Sequence, residues 1–149
     1  MPQINAAGLA LIKEFEGLSL TSYPDPGTGG APWTCCYGHT GPEVEPGQTY
    51  TQEQCNTLLE SDLARFEQCV NDMVSHDINP NQFAALVSFA YNLGCGALQG
   101  STLLSLVNAG NYEAAAQQFG KWVMAGGQVL EGLVRRRAAE ANLFERGTT

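Results

Sequence analysis

EFEGLSLTSYPDPGTGGAPWTCCYGHTG, residues 14–41, is where the chain stops reading as a helix and starts reading as turns and short strands. Just upstream, Leu9, Leu11, Ile12 and Phe15 mark one apolar face at helical spacing. Asn5 can cap that helix, which is expected to run to about Phe15 or Glu16 and to stop at Gly17. Downstream, residues 18–50 are rich in Gly, Pro, Thr and Tyr. They read as a small irregular β lobe with turns at PDPGTGG and GPEVEPG.

Further along, Thr51-Gln52-Glu53-Gln54 is a capping-box pattern. It opens a long helix on which Leu58, Leu59, Leu63, Phe66, Val70 and Val74 recur at helical spacing, and this helix is expected to span both lobes. Asn79-Pro80 starts another helix, stopped by Gly94. Ser101 or Thr102 starts the next, ending near Gly110. Two more are expected over residues 112–124 and 133–144, separated by Gly126-Gly127 and Gly132. The pattern predicts an α+β fold in one domain, residues 1–149. Its β lobe covers about 17–50, its helical lobe takes about 51–149 plus the first helix, and a cleft lies between.

At 149 residues, 44% of them hydrophobic, the chain can bury a core. It has no run of 18 apolar residues, so no membrane span is expected. MPQINAAGLALIKEFEG lacks a basic n-region and a long apolar stretch, and does not read as a secretory leader. The net charge of −8 argues against nucleic acid as a partner. Four of the seven basic residues are Arg135, Arg136, Arg137 and Arg146, so the C-terminal end is expected to present a basic patch or a solvated helix face.

The five cysteines include no CxxC pair, so neither zinc nor another metal or cofactor is expected. Cys55 and Cys69 share one predicted helix and would lie roughly 21 Å apart, too far to bond. Each must pair elsewhere, for example Cys55 with Cys35 or Cys36 and Cys69 with Cys95, unless the thiols stay buried and reduced. Such bonds would imply an oxidising compartment.

The chemistry concentrates in residues 14–41. Glycoside hydrolysis needs two carboxyl groups flanking the bond, or one carboxylic acid and a positioned water. The acid must hold its proton near neutral pH, which requires a partly buried site. Glu16 sits at the edge of the apolar helix face, whereas Glu14 points to solvent, so Glu16 is the better acid. Asp25, between Pro24 and Pro26, rides on a stiff extended backbone suited to precise placement, although PDPG is also a plain turn. A hydroxyl at Thr34 can hold a water, and His39 suits either a site or a structural hydrogen bond.

With these residues in view, the chain resembles the lysozymes of glycoside hydrolase family 24, which include T-even and lambdoid phage endolysins. The resemblance rests on Phe15-Glu16-Gly17-Leu18, Tyr23-Pro24-Asp25, and the run Trp33-Thr34-Cys35-Cys36-Tyr37-Gly38-His39-Thr40-Gly41. It extends through Tyr91-Asn92-Leu93-Gly94, Ser101-Thr102-Leu103-Leu104, Trp122 and residues 132–137, nearly the whole chain. It implies a muramidase that cuts the β-1,4 bond between N-acetylmuramic acid and N-acetylglucosamine in bacterial peptidoglycan, with inversion. It implies Glu16 as general acid, Asp25 as the group that orients or deprotonates the attacking water, and Thr34 as a holder of that water. Gly38 and His39 would line the cleft from the β lobe, and Tyr91 and Thr102 from the helical lobe.

By charge, Arg135 and Arg137 would meet wall peptides or carboxylates. The resemblance also implies a Cys36–Cys55 bond, structural rather than regulatory, which leaves Cys35 free. The interval from Asp25 to Thr34 is longer than in the shorter phage members, so the adjoining loop is expected to be enlarged. A monomer acting in the periplasm or outside the cell is expected, released through a holin or as a processed secreted form. A non-cutting glycan binder on the same fold and a chitin-type glycosidase are the alternatives.

Overall fold

The computed structural model describes residues 3–146. In chain order the elements are α1 (Ala6–Glu16), β1 (Ser19–Tyr23), β2 (Thr34–Cys36), β3 (His39–Thr40), α2 (Gln52–Met73), α3 (Pro80–Leu93) and α4 (Cys95–Gln99). There follow α5 (Thr102–Asn108), α6 (Tyr112–Gln118), a 3-10 turn (Phe119–Lys121), β4 (Met124–Ala125), β5 (Gln128–Val129) and α7 (Glu131–Glu145). The chain divides into two compact units. One is Glu16–Ala64; the other joins the residues up to Phe15 with those from Arg65 onward. The smaller unit therefore takes in the first half of α2, which the sequence reading assigned to the helical lobe.

Local chemistry explains several helix starts and the end of α1. Asn5 accepts from the Gly8 amide at 2.9 Å, and Gly17, at φ 72°, ends α1. At α2 the Gln54 amide donates to Thr51 Oγ1 and the Gln54 side chain accepts from the Thr51 amide, the reciprocal pair that the sequence pattern predicts. Asn79 and Gln82 repeat this at α3, with Pro80 in the first turn. Ser101, rather than Thr102, caps α5 by accepting from the Leu104 amide.

In the smaller unit the sheet order is β1-β2-β3, all antiparallel. Ser19 faces Cys36 and Tyr23 faces Thr34, so β1 carries two more residues than the stretch of β2 it pairs with, and the ladder is irregular between them. Residues 48–50 flank the other edge of β1: Ser22 donates to the Gln48 carbonyl and Tyr50 to that of Leu20. Buried Cys35, Val44, Leu59 and Leu63 fill this small core. The Cys36–Cys55 disulfide ties the end of β2 to the first turn of α2.

The larger unit is organised on α3, whose residues from Gln82 to Ala90 are all buried and which packs against α7. Phe89 meets Phe119 and Trp122 edge-on, at centroid distances of 5.8 and 5.4 Å, and Phe144 closes against Phe119 at 5.6 Å. The Cys69–Cys95 disulfide joins α2 to α4. The disulfides span sequence separations of 19 and 26 residues, each a constraint of roughly 3 kcal/mol on the unfolded chain.

The second half of the chain departs from expectation in three places. The helix expected to reach Met124 ends at Gln118, because residues 123–130 form a second hairpin. Gly126 and Gly127, at φ 60° and 79°, supply its two-residue turn, and Ala125 faces Gln128. A Gly-Gly pair is a hairpin signal as well as a helix separator. Helix α4 is one short turn between Gly94 and Gly100, too brief to show periodicity. Finally, α7 begins two residues early, at Glu131, with Gly132 inside its first turn.

The expected basic patch does not form. Arg135 is exposed, but Arg136 and Arg137 are buried with Glu140. Glu140 Oε2 accepts from Ser88 Oγ at 2.5 Å, Arg137 at 3.2 Å and Arg136 at 3.3 Å. Arg137 Nε lies 2.8 Å from Glu140 Oε1, close enough for an ion pair but not aligned for a hydrogen bond, and its Nη1 has no hydrogen-bond acceptor. The Arg137 guanidinium instead faces the Phe89 ring at 5.2 Å and donates to Asn92. Spacing places Arg136 and Arg137 on the inward face of α7, in step with Leu143 and Glu140, so their charge serves the core. Burial pushes the Glu140 carboxyl up, an effect that Arg137, Ser88 and Arg136 oppose.

Candidate active site

Glu16 is the last residue of α1, and Gly17 turns the chain from it into β1. Its side chain is half-buried, whereas that of Glu14 is exposed. The carboxylate lies on the β2–β3 turn: a Cβ built on Gly38 would stand 2.9 Å from Glu16 Oε1. Gly38 also has φ 81°, a conformation that a side chain resists. Two independent reasons therefore require glycine here, one of them the space that the carboxylate occupies.

Asp25 lies two residues beyond the end of β1 and is half-buried. Its backbone closes the loop of residues 25–31: its amide donates to the Gly30 carbonyl at 2.9 Å, and its own carbonyl accepts from Gly29 at 2.7 Å. Thr28 Oγ1 donates to the Ala31 carbonyl at 2.9 Å and accepts from the Gly30 amide at 3.2 Å. The stretch GTGGAP thus folds back on itself and leaves Asp25 at its base. Thr34 opens β2 directly across the ladder from Tyr23. Register therefore returns Thr34 to the neighbourhood of Asp25 although nine positions separate them. Glu16, Asp25, Thr34, Gly38 and His39 all belong to the Glu16–Ala64 unit.

His39 has both ring nitrogens engaged. Nδ1 is 2.7 Å from Asp62 on α2, and Nε2 is 2.6 Å from Glu43 in the following turn. Burial alone would push the imidazole pKa down. The hydrogen bonds to Glu43 and Asp62, with their charges, outweigh that and raise it above the ordinary histidine value. The same contact with His39 lowers the Glu43 carboxyl. A neutral imidazole has one N–H and cannot donate to both carboxylates. Asp62 was not legible as a partner in the sequence, since it lies in no motif and reaches His39 only through the fold; Glu43 lies four positions on, in the GPEVEPG turn, with no local signal that it meets His39.

A raised folded-state pKa means that this cluster stabilises the protein fully below the unfolded value, about 6.5, and that the contribution fades as pH rises through the folded value. The His39 ring signal in an NMR titration is expected to have its midpoint above 6.5, and thermal stability to carry a His39-dependent loss over the same rising-pH window. A midpoint at or below the free-histidine value would contradict the arrangement.

Tyr91 and Thr102 belong to the other unit. Tyr91, on α3, is half-buried and packs edge-on against Phe66 at 5.3 Å. Thr102 is exposed at the start of α5. Arg137, expected to meet wall carboxylates, is fully buried and unable to do so.

Gly38→Ala tests the contact with Glu16 directly. The new methyl must displace the carboxylate and sit at a positive φ, so about a hundredfold loss of any Glu16-dependent turnover is expected from displacement on the ångström scale. Activity assays paired with a melting curve check it. A variant that melts lower but turns over normally would show that the contact does not matter for chemistry.

The phage lysozyme family matches residues 13–140. The chain is 46% identical to an endolysin of Bacillus phage B103 over 144 residues, 97% of this chain and 54% of that protein. It thus spans about half the length of the Bacillus phage B103 and PZA endolysins. Among solved structures, the muramidase domain of SpmX from Asticaccaulis excentricus superposes with a TM-score of 0.88 at 39% identity, covering 97% of this chain and 99% of that one. A mutant P22 lysozyme superposes at 0.87 with 36% identity, covering 97% and 99%.

Proposed function

The chain belongs to the phage lysozyme family, and from that premise we propose that it is a muramidase, hydrolysing the β-1,4 bond between N-acetylmuramic acid and N-acetylglucosamine in bacterial peptidoglycan. The observation that carries the reading is the seat of Glu16: its carboxylate rests on Gly38, in the compact unit that also holds Asp25 and Thr34. In the proposed reaction Glu16 gives its proton to the leaving glycosidic oxygen. Asp25 takes a proton from a water on the opposite face of the sugar, and the Thr34 hydroxyl holds that water. The oxygen of the water bonds to the anomeric carbon as the glycosidic bond breaks, so configuration inverts and no covalent intermediate forms. Tyr91 and Thr102 are proposed as further contacts to the glycan.

The two disulfides accord with work in an oxidising compartment, the periplasm or the exterior. Among the described residues no helix is long and apolar enough to cross a membrane. The proposed form is a monomer whose partner is the wall polymer.

Reducing-end release from purified peptidoglycan, with NMR of the first anomer formed, tests the reading. Release of the α anomer is expected, because inversion of a β bond yields it. No release sinks the enzyme in favour of a binder. Release from chitin oligomers but not from peptidoglycan would reassign the substrate.

A further inference from the structure

Gly38, on which the Glu16 carboxylate rests, is followed directly by His39, whose ring is held at both nitrogens. Asp62 grips one ring nitrogen from α2 and Glu43 grips the other from the next turn. Tyr37 and Gly38 connect β2 to β3, with Cys36 and Gly38 both at positive φ, and the buried Tyr37 accepts through its hydroxyl from Gln52 on α2 at 2.8 Å. The Cys36–Cys55 bond holds the leading end of this turn and His39 its trailing end.

We propose that Asp62, assisted by Glu43, is a positioning residue for turnover: it fastens His39 to α2 and thereby keeps Gly38 against the carboxylate of Glu16. The inference rests on the muramidase reading. Asp62 touches no reacting atom; it acts by restricting the turn. His39 then serves as a tether rather than as a contact to the glycan, since both its nitrogens are occupied. Nearby lie the Cys35 thiol, which burial pushes up, and the Tyr50 phenol, which burial and the neighbouring Cys35 push up to about 12, with the carboxylates of Glu16 at Gly38 and Glu45 towards Tyr50. The thiol and the phenol are neutral in the working range, so neither competes with the carboxylates for the imidazolium.

Asp62 is side-chain 24% exposed and Glu43 61% exposed, so both can be replaced without opening a core. Asp62→Ala removes the acceptor, whereas Asp62→Asn keeps an oxygen for the Nδ1 proton. On soluble, uncrosslinked glycan strands, Asp62→Ala is expected to lower kcat about tenfold with KM within about twofold, since misplacement of a catalytic group acts on the chemical step. Asp62→Asn is expected to return kcat to within about threefold of the parent. The assays are run where circular dichroism shows every variant folded.

A kcat for Asp62→Ala equal to the parent's would overturn the inference. So would a loss confined to KM, or an Asn variant no better than Ala. Should Asp62→Ala not fold, Glu43→Ala carries the test, with a kcat loss of about threefold expected and an unchanged kcat counting against the inference. The two readings fail separately. A parent that releases no reducing ends, or a Glu16→Gln variant that still does, removes the muramidase assignment. An active parent and an inactive Glu16→Gln beside a fully active Asp62→Ala removes only the role of Asp62.

Discussion

Glu16→Gln is expected to reduce reducing-end release about a thousandfold and to abolish clearing of chloroform-treated Gram-negative cells, with far-UV circular dichroism unchanged. Glutamine has nearly the same shape, so it can keep the seat on Gly38 and the end of α1 where they are. What it cannot supply is a proton for the leaving oxygen, and general-acid assistance accounts for a factor of this order. Co-sedimentation of the variant with peptidoglycan should persist, which separates loss of cutting from loss of binding. If the variant still clears cells, Glu16 is not the acid. The neighbouring Glu14→Gln should then be examined, although its exposed position argues against it.

Glu140→Ala should have the largest effect on stability, about 3–5 kcal/mol, because it strands charge in the core. Arg137 is fully buried and Arg136 nearly so, and Glu140 forms ion pairs with both. Without it, two guanidinium groups would remain out of water beside Phe89 and Ser88. For a chain of this size the melting temperature should fall by about 10 °C or more. Scanning calorimetry measures it, with exposed Arg135→Ala as the contrast, expected within about 0.5 kcal/mol of the parent. A Glu140→Ala protein that melts with the parent would mean that water reaches this cluster and that the core is not built around it.

The helix starts were legible because their causes are local. Asn5, Thr51 and Asn79 satisfy amides three residues away, and those partners are fixed by sequence distance alone. The β4–β5 hairpin was written as plainly in Gly126-Gly127, but the same pair also reads as a break between helices, and local sequence does not choose between them. Arg136 and Arg137 were misjudged for a related reason. Three successive arginines look like a charged surface, and only the phase of α7 against α3 turns two of them inward to Ser88 and Asn92.

The candidate site divides along the same line. Sequence alone determined which groups could do the chemistry. Glu16 stands at the end of an amphipathic helix, Asp25 is held between two prolines, and Thr34 and Gly38-His39 follow at a motif's spacing; each depends on neighbours a few residues away. Spacing left Cys35 and Cys36 both open to Cys55, the resemblance implied Cys36, and the fold pairs Cys36; tertiary structure alone decided that Gly38 is the floor beneath Glu16 and that His39 is held by Asp62 and Glu43. Those partners lie up to 23 positions away, and the distance between them is set by sheet register and by the packing of α2, which no local preference encodes.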